Sequence, residues 1–507
     1  MCRYNEPFAD GNGRVSRLLS LHLRYAGDHV ELYFRHPHGC CPKALRAALW
    51  SSTPLSLPTE CRLDSLMSLL YDTPTSDSRG TIFTPMITVP SYALDVLHQL
   101  THYGYKAYVV GGCVRDSLLG REPADWDVCT SATPEEMLAV FRKFRVFKTG
   151  LKHGTLTVRS RGQSVEVTTF RTDGAYTDNR HPDAVTFVSR VEDDLARRDF
   201  TINAMAYHPE EGLVDAFGGQ EDLAARTLRC VGEPDRRFQE DGLRILRALR
   251  FAARFELSIE RETAYSIHRN RYLLENISAE RVFKELQGIL TAKGVGDMLT
   301  AFPDVFSVII PELAPTIGLV RDGEEVWAHT TRAVCAAPPE FALRVALLLH
   351  ELANHASSAD AATLAERVLT HLKSDNATLR LVTTLVRELD TPLPTTRPDM
   401  RRLIGRLGIE KTLRALFTAK QAHLRASGKP EDELRRALLL ADTLLEGPAA
   451  YTIADLALTG NDLIAMGMRP GPQLGRVLAA LLREVQDEQV ANERDALAER
   501  AKALCAE

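Results

Sequence analysis

Between Ile87 and about Val231 the chain alternates short β-type runs with helix-type stretches, and beyond Glu233 the strand signals nearly vanish. That single step in patterning constrains the architecture most. Short strands must share a sheet, whereas a remainder dominated by Ala, Leu, Arg and Glu can only pack helix on helix. The β-type runs are Ala107 to Val110, Trp126 to Val128, Arg145 to Lys148, Thr155 to Val158 and Val165 to Phe170. Between the second and third of them, Thr133-Pro134-Glu135-Glu136 reads as a helix start. A hydroxyl cap, a proline at the first position and a Glu three residues past the cap satisfy amides that the first turn leaves unpaired. The alternating block reads as α/β, and the remainder as helical.

The helical part is punctuated at Pro303, Pro311, Pro338-Pro339, Pro392 to Pro398, Gly447-Pro448 and Pro470 to Pro472, without a fixed-period repeat. Residues 1–86 turn Pro-, Ser- and Thr-rich near their end, as at Thr73 to Ser76, and read as an extension with a linker. The patterning divides the chain into an extension (1–86), a block of strands and helices from 87 to about 230, and a helical remainder. With 507 residues, 45% apolar and 25% charged, the chain is neither disordered nor a small disulfide-stapled protein. Its apolar runs fall short of the ~20 residues that span a bilayer, so no membrane association is expected and the cytoplasm is the expected compartment. The nine cysteines show no paired CxxC spacing and no zinc-type Cys/His ladder, so free thiols are expected. A formal charge of −5 argues against a general DNA-coating protein but leaves room for a local basic face.

The chemistry concentrates in one stretch. Tyr108-Val-Val-Gly111-Gly112-Cys-Val-Arg115-Asp116 ends a strand on two glycines and opens a helix, which bares backbone amides where a triphosphate could sit. Asp125-Trp126-Asp127 follows. In an extended chain Asp125 and Asp127 share one face and Trp126 takes the other. Paired carboxylates are hard oxygen ligands for Mg²⁺, the ion that phosphoryl transfer uses to activate a hydroxyl and neutralise a leaving pyrophosphate. A third acid is expected on a neighbouring strand, and Glu166, alone in an apolar and Thr-rich run, fits. The plain alternative makes Asp125 a turn residue, Asp127 a cap and Glu166 an edge-strand charge.

At these residues the chain resembles the class II tRNA nucleotidyltransferase and bacterial poly(A) polymerase superfamily, closest to bacterial CCA-adding enzymes. Gly111-Gly112-x-x-Arg115-Asp116 with Asp125-x-Asp127 is similar to the family's first motif. Arg197-Arg198-Asp199-Phe200-Thr201-Ile202-Asn203 resembles the ribose-contacting motif, Glu240-Asp241-x-x-Arg244 the base-reading helix, and Ile277 to Val282 the neck motif that supports it. Gly467 to Gly475 resembles the tail of the CCA-adding enzymes. The resemblance implies an α+β nucleotidyltransferase head (87–230), a mixed sheet with helices, followed by an all-helical neck (231–293), body (294–445) and tail (446–507), with Asp125, Asp127 and Glu166 catalytic and Asp125 and Asp127 the metal ligands. It implies a nucleotide held by Gly111, Gly112, Arg115, Arg198 and Asp199, with Asn203 supporting the site and Asp241 and Arg244 selecting the base. The partners implied are the tRNA 3′ end, CTP and ATP.

Asp241 and Arg244 are three apart and are expected to share a helix face, one offering an acceptor and the other donors. Cytosine and adenine both present an exocyclic amine beside a ring-nitrogen acceptor, so one pair of side chains can read both. An intrahelical ion pair is the bland alternative. Arginines 244, 247, 250 and 254 recur at helical spacing, where some would meet RNA phosphates.

Thr149 to Thr155 resembles the CCA-adding form of its segment, and Phe170 to Pro182 the flexible loop needed for the final A, which disfavours CC-only activity. A-only addition, poly(A) synthesis and a non-catalytic tRNA-binding protein remain the alternatives. His329 and His350-Glu351-Leu352 resemble an HD-type phosphohydrolase body, but Glu351 stands where that site needs Asp, and Ala353-Asn354-His355 departs from the usual turn. A helical scaffold with satisfied histidines is therefore expected there. Glu6 to Arg17 resembles a Fic-type AMP-transferase loop without its histidine, since Glu6 takes that place, and reads as a remnant.

Overall fold

The computed structural model describes residues 87–174, 185–352, 358–408, 410–447 and 449–506, together with the backbone of four strands nearer the N-terminus. Seven strands form the head sheet, in the order Gly212–Val214, Ala206–His208, Ala107–Val110, Val128–Thr130, Gln163–Thr169, Thr155–Ser160 and Arg145–Phe147. All neighbours are antiparallel except Val128–Thr130 and Gln163–Thr169, which run parallel with Val128 opposite Val167. The sheet is mixed, as the resemblance implies.

Ala107–Val110 is buried at every residue because both of its faces are covered. Ala107 and Val109 meet Ala93, Val96, Leu97 and Leu100 of the helix Ser91–His102. Tyr108 and Val110 meet Phe170, Val191 and Leu195, the last two from the helix Val191–Ala196. The helix start at Thr133 takes its expected form: the Thr133 amide donates to Glu136 Oε2 at 2.8 Å, and the Glu136 amide returns to the Thr133 hydroxyl at 3.4 Å.

Beyond Glu233 the described residues hold only two-residue strand pieces among helices. Leu243–Phe255 and Ala279–Leu290 form the neck, and one apolar core runs without interruption from the head sheet through the neck into the body as far as Ala422. Ala450 to Ala501 close a separate tail core. None of the described helices is long and apolar enough to cross a membrane.

Met1–Pro85 forms a compact unit of its own. Where the composition suggests a loose extension, the strands Arg3–Tyr4, Ser20–Ala26, His29–Arg35 and Leu55–Pro58 make an antiparallel sheet in chain order. The Fic-like segment, the Pro-, Ser- and Thr-rich end, residues 175–184 of the expected flexible loop and Ala353 to His355 lie outside the described residues.

Candidate active site

Strand Ala107–Val110 ends on Gly111, which has φ +80° and caps the short helix Gly112–Leu118. A side chain there would be strained by that dihedral and would bring its Cβ to 2.9 Å from Arg198 Nη1. Glycine therefore lets a guanidinium approach the turn. The Gly111 amide donates to the Met205 carbonyl at 3.0 Å, which locks the turn to the segment leading into the strand Ala206–His208.

Asp125 is exposed, Trp126 buried and Asp127 half-buried, the alternation of an extended chain, although the regular strand begins only at Val128. Both acids thus sit on the lip of the strand. The parallel register that sets Val128 beside Val167 makes their predecessors, Asp127 and Glu166, neighbours on the opposite face. Glu166 is exposed, not sheltered as its apolar run suggests, because the strand turns that face outward. Burial, then the charges of Asp125 and Glu166, push the Asp127 carboxyl up to about 6, against the pull of Arg198. Asp125 and Glu166 lie near enough to act on the charge of Asp127, and Arg198 is the cation beside it.

Arg198 leads into the second half of the site. Asp194, fully buried, accepts from Arg197 Nη2 at 2.8 Å and from Arg198 Nη2 at 3.3 Å, and so presents both arginines. Asp199 accepts from Arg247 Nε at 2.9 Å and Nη2 at 2.7 Å, and its other oxygen accepts from Asn203 Nδ2 at 3.2 Å. Burial opposes ionisation of Asp199, but Arg247, Arg244 and Asn203 hold its pKa down to about 2. Asn203 in turn accepts from Arg115 Nη1 at 2.5 Å. Arg115 is buried, bonded to Asp116 and stacked over the Phe255 ring at 4.5 Å, so it faces inward where the resemblance implies a triphosphate contact.

Arg197, Arg198, Asp199, Asp241, Leu243, Arg244, Arg247 and Arg281 line one cavity of about 300 Å³. Its five guanidinium groups outnumber its two carboxylates, a balance suited to a polyphosphate with a sugar and base attached. The expectation that Asp241 and Arg244 share a helix face is corrected. Asp241 is extended (φ −149°, ψ 105°) in a hinge between Pro234–Glu240 and Leu243–Phe255. Arg281 Nη2 donates to Asp241 at 2.8 Å, as a supporting neck motif should. Arg244 donates to Glu240 Oε2 at 2.5 Å, and both selector side chains still line the same cavity.

Of the other arginines at helical spacing, Arg250 is bound by Glu285 at 2.5 Å and Arg254 is exposed. Sequence reasoning missed Asp194 as the anchor of Arg197 and Arg198, although its spacing of three and four residues from them was a usable signal. The partners of Arg247 and Arg281 had no local signal.

Comparison with known proteins gives this geometry a setting. The family model for the Poly A polymerase head domain matches residues 107–229, that for the probable RNA and SrmB-binding site of polymerase A matches 256–315, and that for the putative domain 2 of tRNA nucleotidyltransferase matches 356–501. The CCA-adding enzyme of Geobacillus thermodenitrificans is 36% identical over 414 residues, covering 80% of this chain and 94% of the relative. That of Lactobacillus delbrueckii subsp. bulgaricus is 36% identical over 413 residues, covering 80% and 96%. The crystal structure of the Bacillus stearothermophilus CCA-adding enzyme in complex with CTP matches with a TM-score of 0.64 and 31% identity, covering 82% of this chain and 99% of the other. Likeness of this extent, along nearly the whole length of the relatives, means that the chain belongs to the family of CCA-adding tRNA nucleotidyltransferases.

Proposed function

We propose that the chain adds C, C and A in turn to the 3′ end of tRNA, taking CTP and ATP as donors, releasing pyrophosphate and reading no nucleic-acid template. One observation carries this reading: Arg198 lies against the Gly111 turn, acts on the charge of Asp127, and lines the cavity that holds Asp241 and Arg244. A single side chain thereby joins the acids to the base-selecting pocket.

Members of this family use a divalent metal. Asp125, Asp127 and Glu166 are hard oxygen donors near enough for two of them to act on the charge of the third, and we assign them to Mg²⁺. When bound, the ion supplies charge for a departing pyrophosphate and lowers the pKa of an attacking 3′-hydroxyl. The rest is done by the chain. Arg198, presented by Asp194, faces the phosphates. Asp199, kept ionised by Arg247, can only accept, which suits a ribose hydroxyl donor. Asn203 holds Asp199 in place, and Arg115 acts on the nucleotide through Asn203. Asp241 accepts from the exocyclic amine of C or A while Arg244 donates to the ring nitrogen, so U and G leave buried groups mispaired at about 1–3 kcal/mol each.

For RNA, shape and backbone contacts along neck, body and tail suit a structured partner, and the matched RNA-binding segment at 256–315 supports that surface. Free thiols at Cys113, Cys129, Cys230 and Cys335 support a cytoplasmic location. Purified protein with Mg²⁺ is given tRNAs ending before CC, after C and after CC, each with a single NTP. The expected outcome is C, C and A incorporation in that order. Incorporation of A alone would replace this reading with A-only addition, and long A tails with poly(A) synthesis.

A further inference from the structure

Far from the acids in sequence, the body brings three imidazoles together. His329 lies in the helix Val326–Ala336, His350 caps Phe341–Leu349, and His423 lies in Glu410–Ala426. One nitrogen of each is within 4.8 Å of the others. His329 Nε2 and His423 Nδ1 are 3.4 Å apart. That is close to the edge, about 3.3 Å, of a tetrahedron with metal–nitrogen bonds of ~2.0–2.1 Å.

Hydrogen bonding fixes which nitrogens face the centre. His350 Nδ1 is 2.6 Å from the Leu347 carbonyl, so it carries the proton and leaves Nε2 as a bare lone pair. That Nε2 is buried without a hydrogen-bond partner, on a side chain 2% exposed. Glu351 Oε1 stands 3.5 Å from it. Two lone-pair atoms facing each other without a proton repel, and a cation between them removes the conflict. Glu351 keeps its other oxygen on Arg321 Nη1 at 2.5 Å, which aims Oε1 at the cluster. The outer nitrogen of His329 faces Glu324 at 3.6 Å, the carboxylate behind an imidazole that metal sites use to orient a ligand.

We propose that His329 Nε2, His350 Nε2 and His423 Nδ1 form a three-histidine site for a transition-metal ion, Zn²⁺ fitting best, that clips three body helices together, with water as the fourth donor and Glu351 Oε1 beside His350. Imidazole donors in this geometry suit Zn²⁺ and its spectroscopic substitute Co²⁺. The cysteine spacing gives no hint of this site because none of the described cysteines takes part.

The test uses the full chain, stripped with EDTA and titrated with Co²⁺ followed by Zn²⁺. Expected are the intense visible bands of four-coordinate Co²⁺, their displacement by one Zn²⁺ per chain, and a higher melting temperature with Zn²⁺ than with Mg²⁺. His423→Gln should weaken Zn²⁺ retention at least about tenfold and abolish the bands. Asp125→Ala/Asp127→Ala should keep them, which separates this site from the head. Weak six-coordinate bands alone in the wild type, or unchanged retention in folded His423→Gln, would overturn the proposal. Circular dichroism reports folding, and His329→Gln is read the same way if His423→Gln fails to fold.

Discussion

Asp127 carries the tension of the site. Its carboxyl titrates at about 6, above the ordinary ~3.9, because burial and two neighbouring acids disfavour the anion. The sign follows: the metal-free fold has this stability in full below the ordinary value and loses it as pH rises through about 6. Asp127→Asn should therefore stabilise the EDTA-treated protein at neutral pH by about 1–3 kcal/mol in a denaturant titration, while abolishing nucleotide incorporation. Wild-type incorporation should fall as pH drops through about 6, and added Mg²⁺ should shift that limb to lower pH, since cation and proton compete. A limb indifferent to Mg²⁺ would detach Asp127 from the metal. Asp199 behaves oppositely. Its value near 2 means stability present above the ordinary range and lost as pH falls through about 2. Arg247→Met removes both donors to its Oδ2 and should cost about 1.5–3 kcal/mol, with acid unfolding beginning at higher pH.

Between elements, single side chains do the joining. Arg344, buried in Phe341–Leu349, donates to the carbonyls of Leu290 and Ala292 at 2.7 Å each and to that of Ala337 at 3.1 and 3.2 Å. It caps the ends of two other helices and ties the neck to the body. Arg344→Leu would strand those carbonyls and should lower stability by about 2–4 kcal/mol, seen as a lower urea midpoint at unchanged slope. Arg344→Lys should rescue little, because one ammonium cannot span the same fork. The hinge at Asp241 and Gly242 is a second joint. A Cβ on Gly242 would sit 3.0 Å from Leu273 Cβ, so the chain passes too close to its neighbour for a larger residue. The elements on either side were legible from apolar periodicity, and so was the capping box at Thr133. The break at Asp241 was not, because helix-favouring residues flank it and the close approach to Leu273 is a long-range contact.

At the scale of the whole molecule, Met1–Pro85 and Met86–Glu507 are separate compact units, and every matched family segment lies in the second. A chain of residues 86–507 should therefore unfold in the same main transition as the full protein and incorporate CTP and ATP at a similar rate, which calorimetry and a labelled-nucleotide assay would read. A loss of incorporation would assign the first unit a part in catalysis. The composition step at Glu233 was the right guide to where sheet gives way to helix. It carried no sign that head, neck and body share one continuous core, since periodicity reports which face of an element is apolar and not what covers it.

The amino-acid order alone settled the local chemistry. The glycine turn, the face shared by Asp125 and Asp127, and the step from strands to helices follow from backbone freedom and from side-chain periods of two and 3.6, which act over a few residues. Tertiary structure decided the partners. Asp199 meets Arg247 across 48 residues, Asp241 meets Arg281 across 40, Asn203 meets Arg115 across 88, and His329 meets His423 across 94. Those pairings depend on how packed elements bring distant charges and lone pairs into low-dielectric contact, and no spacing within one element encodes them.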